Sequence, residues 1–283
     1  MEQEYRKNRI KSRISWVVAT ILAVFAAVVA ITPFIFMVMN SFKEKFEMLT
    51  KGVFALPEKL NFANYQEVIE GNFLKYFLNS VIVLVVSLVL LLMISAFASY
   101  PLSRFKFKLN GFVYAVIVAC MSIPVHITLI PIFKMSQSMH LYDSIWALIG
   151  PYVAINIPIS VFILTSFMQQ IPKEIEEAAT IDGCGKIRIF FSVILPMAKP
   201  GLSTLAIYNG VNMWNEFIFG YTLTQSQANR TLPLAVWEFQ GQYSMNTPMI
   251  MAVLTLTVLP MIIMFIFAQD KLIKGMAAGA VKG

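Results

Sequence analysis

The chain has 283 residues, 58% of them hydrophobic and 13% charged, with a mean hydropathy of +0.71 and a formal net charge of +7. A soluble domain carries about 25% charged residues, so composition argues against a water-soluble enzyme and for an all-α protein that crosses a membrane several times. The surplus of Lys and Arg then reports orientation in a bilayer, not a nucleic-acid partner, and two distant cysteines, Cys120 and Cys184, provide neither a disulfide framework nor a metal cluster.

Residues 1–15 form a basic segment with Arg6, Lys7, Arg9, Lys11 and Arg13. Six apolar runs follow, at 16–39, 77–100, 112–133, 145–168, 200–221 and 249–269. None contains Lys or Arg, and each is near the ~20 residues that cross ~30 Å of hydrocarbon. The first run is too long for a signal peptide and lacks a small-residue cleavage site, so it reads as an uncleaved span. The expected organisation is the basic segment, a six-helix transmembrane domain over 16–269 with a polar loop at 169–199, and a tail at 270–283. Fifteen of the 22 Lys and Arg fall in 1–15, 101–111, 169–199 and 270–283. The positive-inside rule therefore places those segments, and both termini, in the cytoplasm. Trp16, Tyr76, Tyr100, Trp146 and Tyr221 stand at run ends, as interfacial aromatics do. The long loop at 40–76 predicts turns at Leu56-Pro57 and Asn61-Phe62 and a short packed helix near residues 65–69.

The third run carries Pro124 and Pro131. Each removes a backbone hydrogen bond, which predicts a kinked or unwound helix lining a cavity. His126 lies between them and reads as a buried hydrogen-bonded side chain, as path lining or as a proton carrier. In the fourth run Asn156 and Pro158 repeat the pattern, and Gly150-Pro151 predicts an irregular start. The fifth run holds Glu216, the one charged residue in any run, and an intramembrane acid is a functional candidate. Tyr208, Asn209, Asn212, Asn215 and Glu216 recur at three- and four-residue spacing, so they share a helix face flanked by Trp214. Amides, a carboxylate and aromatic rings suit sugar hydroxyls and sugar faces. Asn156, Tyr208, Asn212, Asn215 and Glu216 are thus a candidate translocation path. The same groups could equally hydrogen-bond neighbouring helices or a partner subunit, and the pattern leaves both readings open. Beyond the fifth run, Asn229-Arg230-Thr231 matches a glycosylation sequon, a pattern with a high chance frequency.

The polar loop reads as a docking element. Pro172 suits a first helical turn, Glu174, Glu176 and Glu177 put negative charge at the positive end of that helix, and Gly183 and Gly185 stop it in left-handed backbone. Ala178 and Ala179 offer a small flat surface to another protein's groove. Ile187, Phe190, Phe191, Ile194 and Leu195 then fall on one apolar stripe of a second helix. No phosphate-cradling G-x-x-x-x-G-K-[ST] is present, since Gly185-Lys186 runs into Ile187, and no H-E-x-x-H or nucleophile–base pair is found. No catalytic residue, metal site or cofactor is expected.

Glu177-Ala178-Ala179, Gly183 after three further residues, and Ile194-Leu195-Pro196 with Pro200 beyond resemble the EAA loop of ABC importer permeases, and the wider chain resembles the maltose-type sugar permease subunit. The resemblance implies a type I ABC importer permease fold and a multi-pass place in a bacterial inner membrane. It also implies a role as the permease subunit of an ATP-driven, binding-protein-dependent importer of disaccharides or oligosaccharides. The implied partners are a second permease (as a heterodimer), a cytoplasmic ABC ATPase dimer that supplies the nucleotide chemistry, and an extracytoplasmic solute-binding protein. Glu177, Ala178, Ala179, Asp182, Gly183, Leu195 and Pro196 would couple to the ATPase. Cys184 stands where a small residue such as Ala is expected. The end of the chain, with Gly275, Gly279, Val281, Lys282 and Gly283, has the composition of a flexible tail but is similar to the tail that enters the ATPase dimer interface in that subunit. A permease for a non-sugar solute is the alternative. A secondary carrier using Glu216 and His126 is a further one, against which the lack of internal repeats speaks.

Overall fold

The computed structural model describes residues 2–239 and 246–280, with side chains described over 13–237, 246–267 and 269. The helices in chain order are α1 (Glu2–Ser41), α2 (Lys45–Lys51), α3 (Ala63–Glu70), α4 (Phe73–Arg104), α5 (Asn110–Ala119), α6 (Leu129–Ser138), α7 (Trp146–Gln169), α8 (Lys173–Ile181), α9 (Lys186–Ile189), α10 (Leu195–Met197), α11 (Lys199–Trp214), α12 (Ile218–Leu223) and α13 (Thr247–Ala280). Among the described residues there is no strand. Four helical stretches are long and apolar enough to cross a membrane: residues 13–41 of α1, α4, α7 and residues 247–267 of α13. The count rises to six when each of two bent helix pairs is taken as one span.

One bent pair is the third apolar run. Its halves, Asn110–Ser122 and Val125–Ser138, meet at 93°. Pro124 causes the break: it forces the preceding Ile123 into extended backbone, φ −76° and ψ 119°. Pro131 does not break the chain. It sits in the first turn of α6, where no intrahelical N–H bond is lost. The fourth run departs from expectation. α7 continues unbroken through both Pro151 and Pro158, because one missing hydrogen bond is tolerated where a helix is packed along its length, and α7 lies along α4. The fifth run is shorter than expected: α11 ends at Trp214, and α12 resumes only at Ile218.

The chain forms two units, each described by itself. The first comprises residues 1–71 and 239–258. Here the loop after α1 folds around Lys43, which is fully buried. Its ammonium donates to Asn40 Oδ1 at 2.9 Å, Gly52 O at 3.2 Å and Val53 O at 3.3 Å, so each of its three N–H groups has an acceptor. Asn64 on α3 donates to Ser41 O and Lys43 O and pins the short helix expected there.

The second unit comprises residues 72–238 and 259–283. Small residues of α4, Ser87, Ser95 and Ser99, are buried in its interior. Small side chains let helix backbones approach closely in lipid, where packing rather than hydrophobicity drives association. At Gly201 on α11 an added Cβ would lie 2.8 Å from Phe167 Cγ on α7. The core has two parts. One, around Tyr100, Leu164, Met168, Phe190, Ile194 and Leu205, lies at the C-terminal end of α7. The other, around Val83, Leu91, Leu148, Tyr152, Met213 and Leu223, lies towards its N-terminal end.

Candidate functional site

Helix α8 and the chain after it form an elbow at the C-terminal end of α7. Pro172 caps α8 from outside, with Glu174 and Glu176 in the first turn. Gly183 has φ +81°. The Cys184 N–H returns to Ala179 O and the Gly183 N–H to Thr180 O, both at 3.0 Å, which is the paired reversal of a glycine-terminated helix. Gly185 is extended instead, at φ −71°, so only Gly183 takes the left-handed backbone expected of both.

Successive residues on a helix point 100° apart, and this divides the expected flat surface. Ala179 packs on the core with Ile175 and Cys184, whereas Glu177, Ala178, Ile181, Asp182 and Gly183 face out. Ile181 is 86% exposed. Leu195 also packs on the core, and Pro196 is exposed. The apolar stripe of the second helix differs from expectation as well: Ile189, Phe190 and Ile194 are buried, while Ile187 and Phe191 are exposed. Residues Phe190–Ile194 form a π-helical turn. Its i→i+5 bonding shifts the buried face by one residue relative to an α-helix. The helix then bends by 68° before α11.

Residues not read as site residues in the sequence fasten this elbow. Arg104, in the last turn of α4, places Nε 2.6 Å from Glu176 Oε1, off the N–H axis, so the contact is an ion pair more than an aligned hydrogen bond. Its Nη2 donates to Ile171 O at 2.9 Å. The two side chains are only 3% and 18% exposed. Tyr100 Oη donates to Lys186 O at 3.4 Å, and its ring packs on Phe105 and Phe190. Lys186 Nζ lies 4.8 Å from the Phe105 ring centroid. The available signal was a lone Arg ending an apolar run, with an acidic cluster bounding the polar loop.

The polar face of the fifth run is divided too. Asn209 is fully buried and donates to Ser160 Oγ at 3.0 Å and to Leu205 O, so it ties α11 to α7. Trp214 is buried edge-on against Phe77. Tyr208 and Asn215 are exposed, away from the lining described next. Asn156, Asn212 and Glu216 do come together, with His126, Tyr152 and Met213, around a cavity of about 270 Å³. Glu216 accepts from Tyr152 Oη at 2.9 Å, from Phe219 N at 2.9 Å and from Gly220 N at 3.2 Å. It therefore caps orphan N–H groups of α12, which offsets the cost of holding an acid among apolar helices. His126 is exposed in the turn after Pro124, not buried.

At the N-terminal end of α7 a carboxylate fixes two loops. Asp143 Oδ1 accepts from Gln225 N at 2.8 Å, Ser226 N at 2.9 Å and Ser226 Oγ at 3.0 Å, and Asn229 Nδ2 donates to Asp143 O. Partial burial raises the Asp143 carboxyl, but these hydrogen bonds outweigh it and hold the group below its ordinary value of 3.8. The amide of the sequon Asn229 is engaged in this contact. Gly279 lies within α13, which extends through a segment whose composition suggests a flexible tail; Ala277, Ala278 and Ala280 are strong helix formers. Val281, Lys282 and Gly283 lie outside the described residues.

Residues 91–277 match the family described as the binding-protein-dependent transport system inner membrane component. An ABC transporter permease protein of Caldicellulosiruptor sp. is 51% identical over 90% of this chain and 93% of its own length. The sulfoquinovosyl glycerol transport system permease protein SmoH of Agrobacterium fabrum is 33% identical over 89% of this chain and 88% of its own. The melibiose/raffinose/stachyose import permease protein MelC of Bacillus subtilis is also 33% identical, over 94% and 96%. Among solved structures, a chain of a bacterial ABC transporter involved in the import of the acidic polysaccharide alginate shares the fold with a TM-score of 0.80 at 20% identity, covering 91% of this chain and 96% of that one.

Proposed function

The chain belongs to the family of binding-protein-dependent transport system inner membrane components, and from that membership we propose that it is the permease subunit of an ATP-driven importer of disaccharides or oligosaccharides. The relatives named for melibiose, raffinose and stachyose and for sulfoquinovosyl glycerol support a carbohydrate cargo. Fold and family make it a multi-pass membrane protein. In our reading both termini and the loop at 169–199 are cytoplasmic, residues 16–269 form the permease domain, and 270–283 form a docking tail. A second permease completes the path, and a separate ATPase dimer and an extracytoplasmic solute-binding protein complete the machine.

The observation that carries this reading is the division of α8 into two faces. Ile175 and Ala179 seat the helix on the core, and Glu176 ties it to Arg104. Glu177, Ala178 and Asp182 are left free to enter a groove on another chain. ATP-driven closure of the ATPase dimer pulls α8. The Arg104–Glu176 pair carries that displacement into α4, and the bend before α11 carries it into the helix that borders the Asn156–Asn212–Glu216 cavity. Access alternates because ATPase contacts differ between the two states. Glu216 serves this path as a helix cap, its carboxylate held by three donors.

The test is Ala178→Cys in a chain whose Cys120 and Cys184 are replaced by Ser. The expected result is cross-linking to the ATPase and protection from membrane-impermeant thiol reagents added outside cells. Labelling from outside, or no ATPase adduct in a transporting complex, would refute the coupling assignment.

A further inference from the structure

We propose that the loops at the N-terminal end of α7 form a saccharide-binding cradle at the outer mouth of the path, one that takes a pyranose ring on Tyr221 and Trp237. This rests on the sugar-importer reading and its outward orientation. A cavity of about 380 Å³ opens there, and Tyr142, Tyr221, Gln225, Arg230 and Trp237 are among the residues that line it. It is separate from the Asn156–Glu216 cavity: the two share no lining residue.

The chemistry of the walls is mixed in the way a sugar requires. Phe217 stacks with Tyr221 and with Trp237 at interplanar angles of 9° and 22°, and the Tyr221 and Trp237 rings are tilted by 31°, with centroid separations of 5.2–6.2 Å. Tyr221 is 56% and Trp237 44% exposed, so both rings keep surface to offer. One face of a pyranose is a patch of C–H groups that lies flat on such rings, while its hydroxyls at the edge need donors and acceptors. Those are present. Tyr142 Oη donates to Gln225 Oε1 at 3.2 Å, which leaves the Gln225 amide N–H groups to donate. Among the described residues no carboxylate lies within ion-pair distance of Arg230, and its guanidinium offers a planar fork for vicinal hydroxyls.

The polar wall is also held in place before any ligand arrives. Asp143 fixes Gln225 and Ser226, Asn79 on α4 donates to Ala228 O at 3.0 Å and Arg230 O at 2.8 Å, and Ser80 Oγ accepts from Leu232 N at 2.8 Å. A loop pinned at five backbone groups loses little further freedom on binding. The cradle would receive the sugar as it leaves the solute-binding protein and present it to the path.

The test uses the purified full-length chain in lipid nanodiscs, titrated with maltotriose, raffinose and trigalacturonate and read by saturation-transfer NMR. Binding of at least one of them is expected. Trp237→Ala and Tyr221→Ala should each weaken it by about tenfold, Arg230→Gln should weaken it less, and Trp237→Phe should retain most of it. No binding to any of the three, or binding by both alanine variants as tight as that of the wild-type chain, overturns the cradle. So does quenching of Trp237 by brominated lipid with no response to sugar, which would assign the rings to the bilayer surface. In cells, Trp237→Ala should raise the half-saturation concentration for uptake about tenfold. Uptake with unchanged half-saturation sinks the cradle alone, whereas absence of any sugar uptake by the wild-type system sinks the importer reading itself.

Discussion

The two ends of α7 are anchored by different uses of charge. At its C-terminal end a buried guanidinium meets a carboxylate, side chain to side chain, between α4 and α8. At its N-terminal end the Asp143 carboxylate grips backbone N–H groups of a loop. The first tie joins two helices through long side chains and leaves the backbone and outer face of α8 free. The second consumes the backbone donors of its loop and so fixes the loop's own shape. A part that must transmit displacement to another chain suits the first arrangement; a part that must hold a surface ready suits the second. Two glycines at the C-terminal end serve different needs. Gly183 is needed for its φ of +81°, and Gly201 for the space that a Cβ would take from Phe167.

The largest effect is expected of Gly183→Pro. Proline locks φ near −65° and removes the N–H that reaches Thr180 O. Under the proposed coupling, sugar uptake should vanish, because the outer face of α8 is redirected; normal uptake would discard the elbow. Next comes Arg104→Ala, which leaves the partly buried Glu176 without its partner and should cost up to about 3 kcal/mol, measured as lost thermal stability in detergent. Arg104→Met with Glu176→Leu should recover most of that stability and still transport poorly. If transport returns with stability, the pair holds the fold and transmits nothing. At the other end, Asp143→Ala orphans the Gln225 and Ser226 N–H groups and should cost about 1–3 kcal/mol, with ATPase coupling intact. A coupling defect in that variant would mean that the two ends are one mechanical system.

The smallest effect is on pH dependence. Because the folded Asp143 carboxyl lies below its unfolded value of 3.8, it adds stability above that value. The contribution is lost as the pH falls through the folded value. Asp143→Asn should therefore lower the melting temperature near neutrality and flatten its fall as the pH drops below 3.8, so that the two proteins converge in acid. An unaltered acid limb would show that other carboxyls dominate it.

Some of this architecture was legible before any coordinates. The apolar runs locate the membrane segments because length and lack of charge are properties of a run itself, and the Glu-Ala-Ala and glycine pattern locates the elbow because helix ends follow local rules. The break at Pro124 is local in the same sense: a proline constrains the residue before it wherever it stands. Other features depended on contacts between distant residues. Arg104 and Glu176 are far apart in sequence, and no periodicity links them. Spacing alone put Asn209 and Asn212 on one face, but α7 claims Asn209 through Ser160 while Asn212 borders a cavity, because a helix face is wider than the neighbour it meets. The π-helical turn at Phe190–Ile194 and the unbroken course of α7 through Pro158 likewise follow from packing. Where the apolar segments lie and where the chain turns can be read from the residues alone, since those depend on each segment's own composition and backbone freedom. Which polar side chains are ties and which border open space follows only from the packed structure, since that depends on what each one faces.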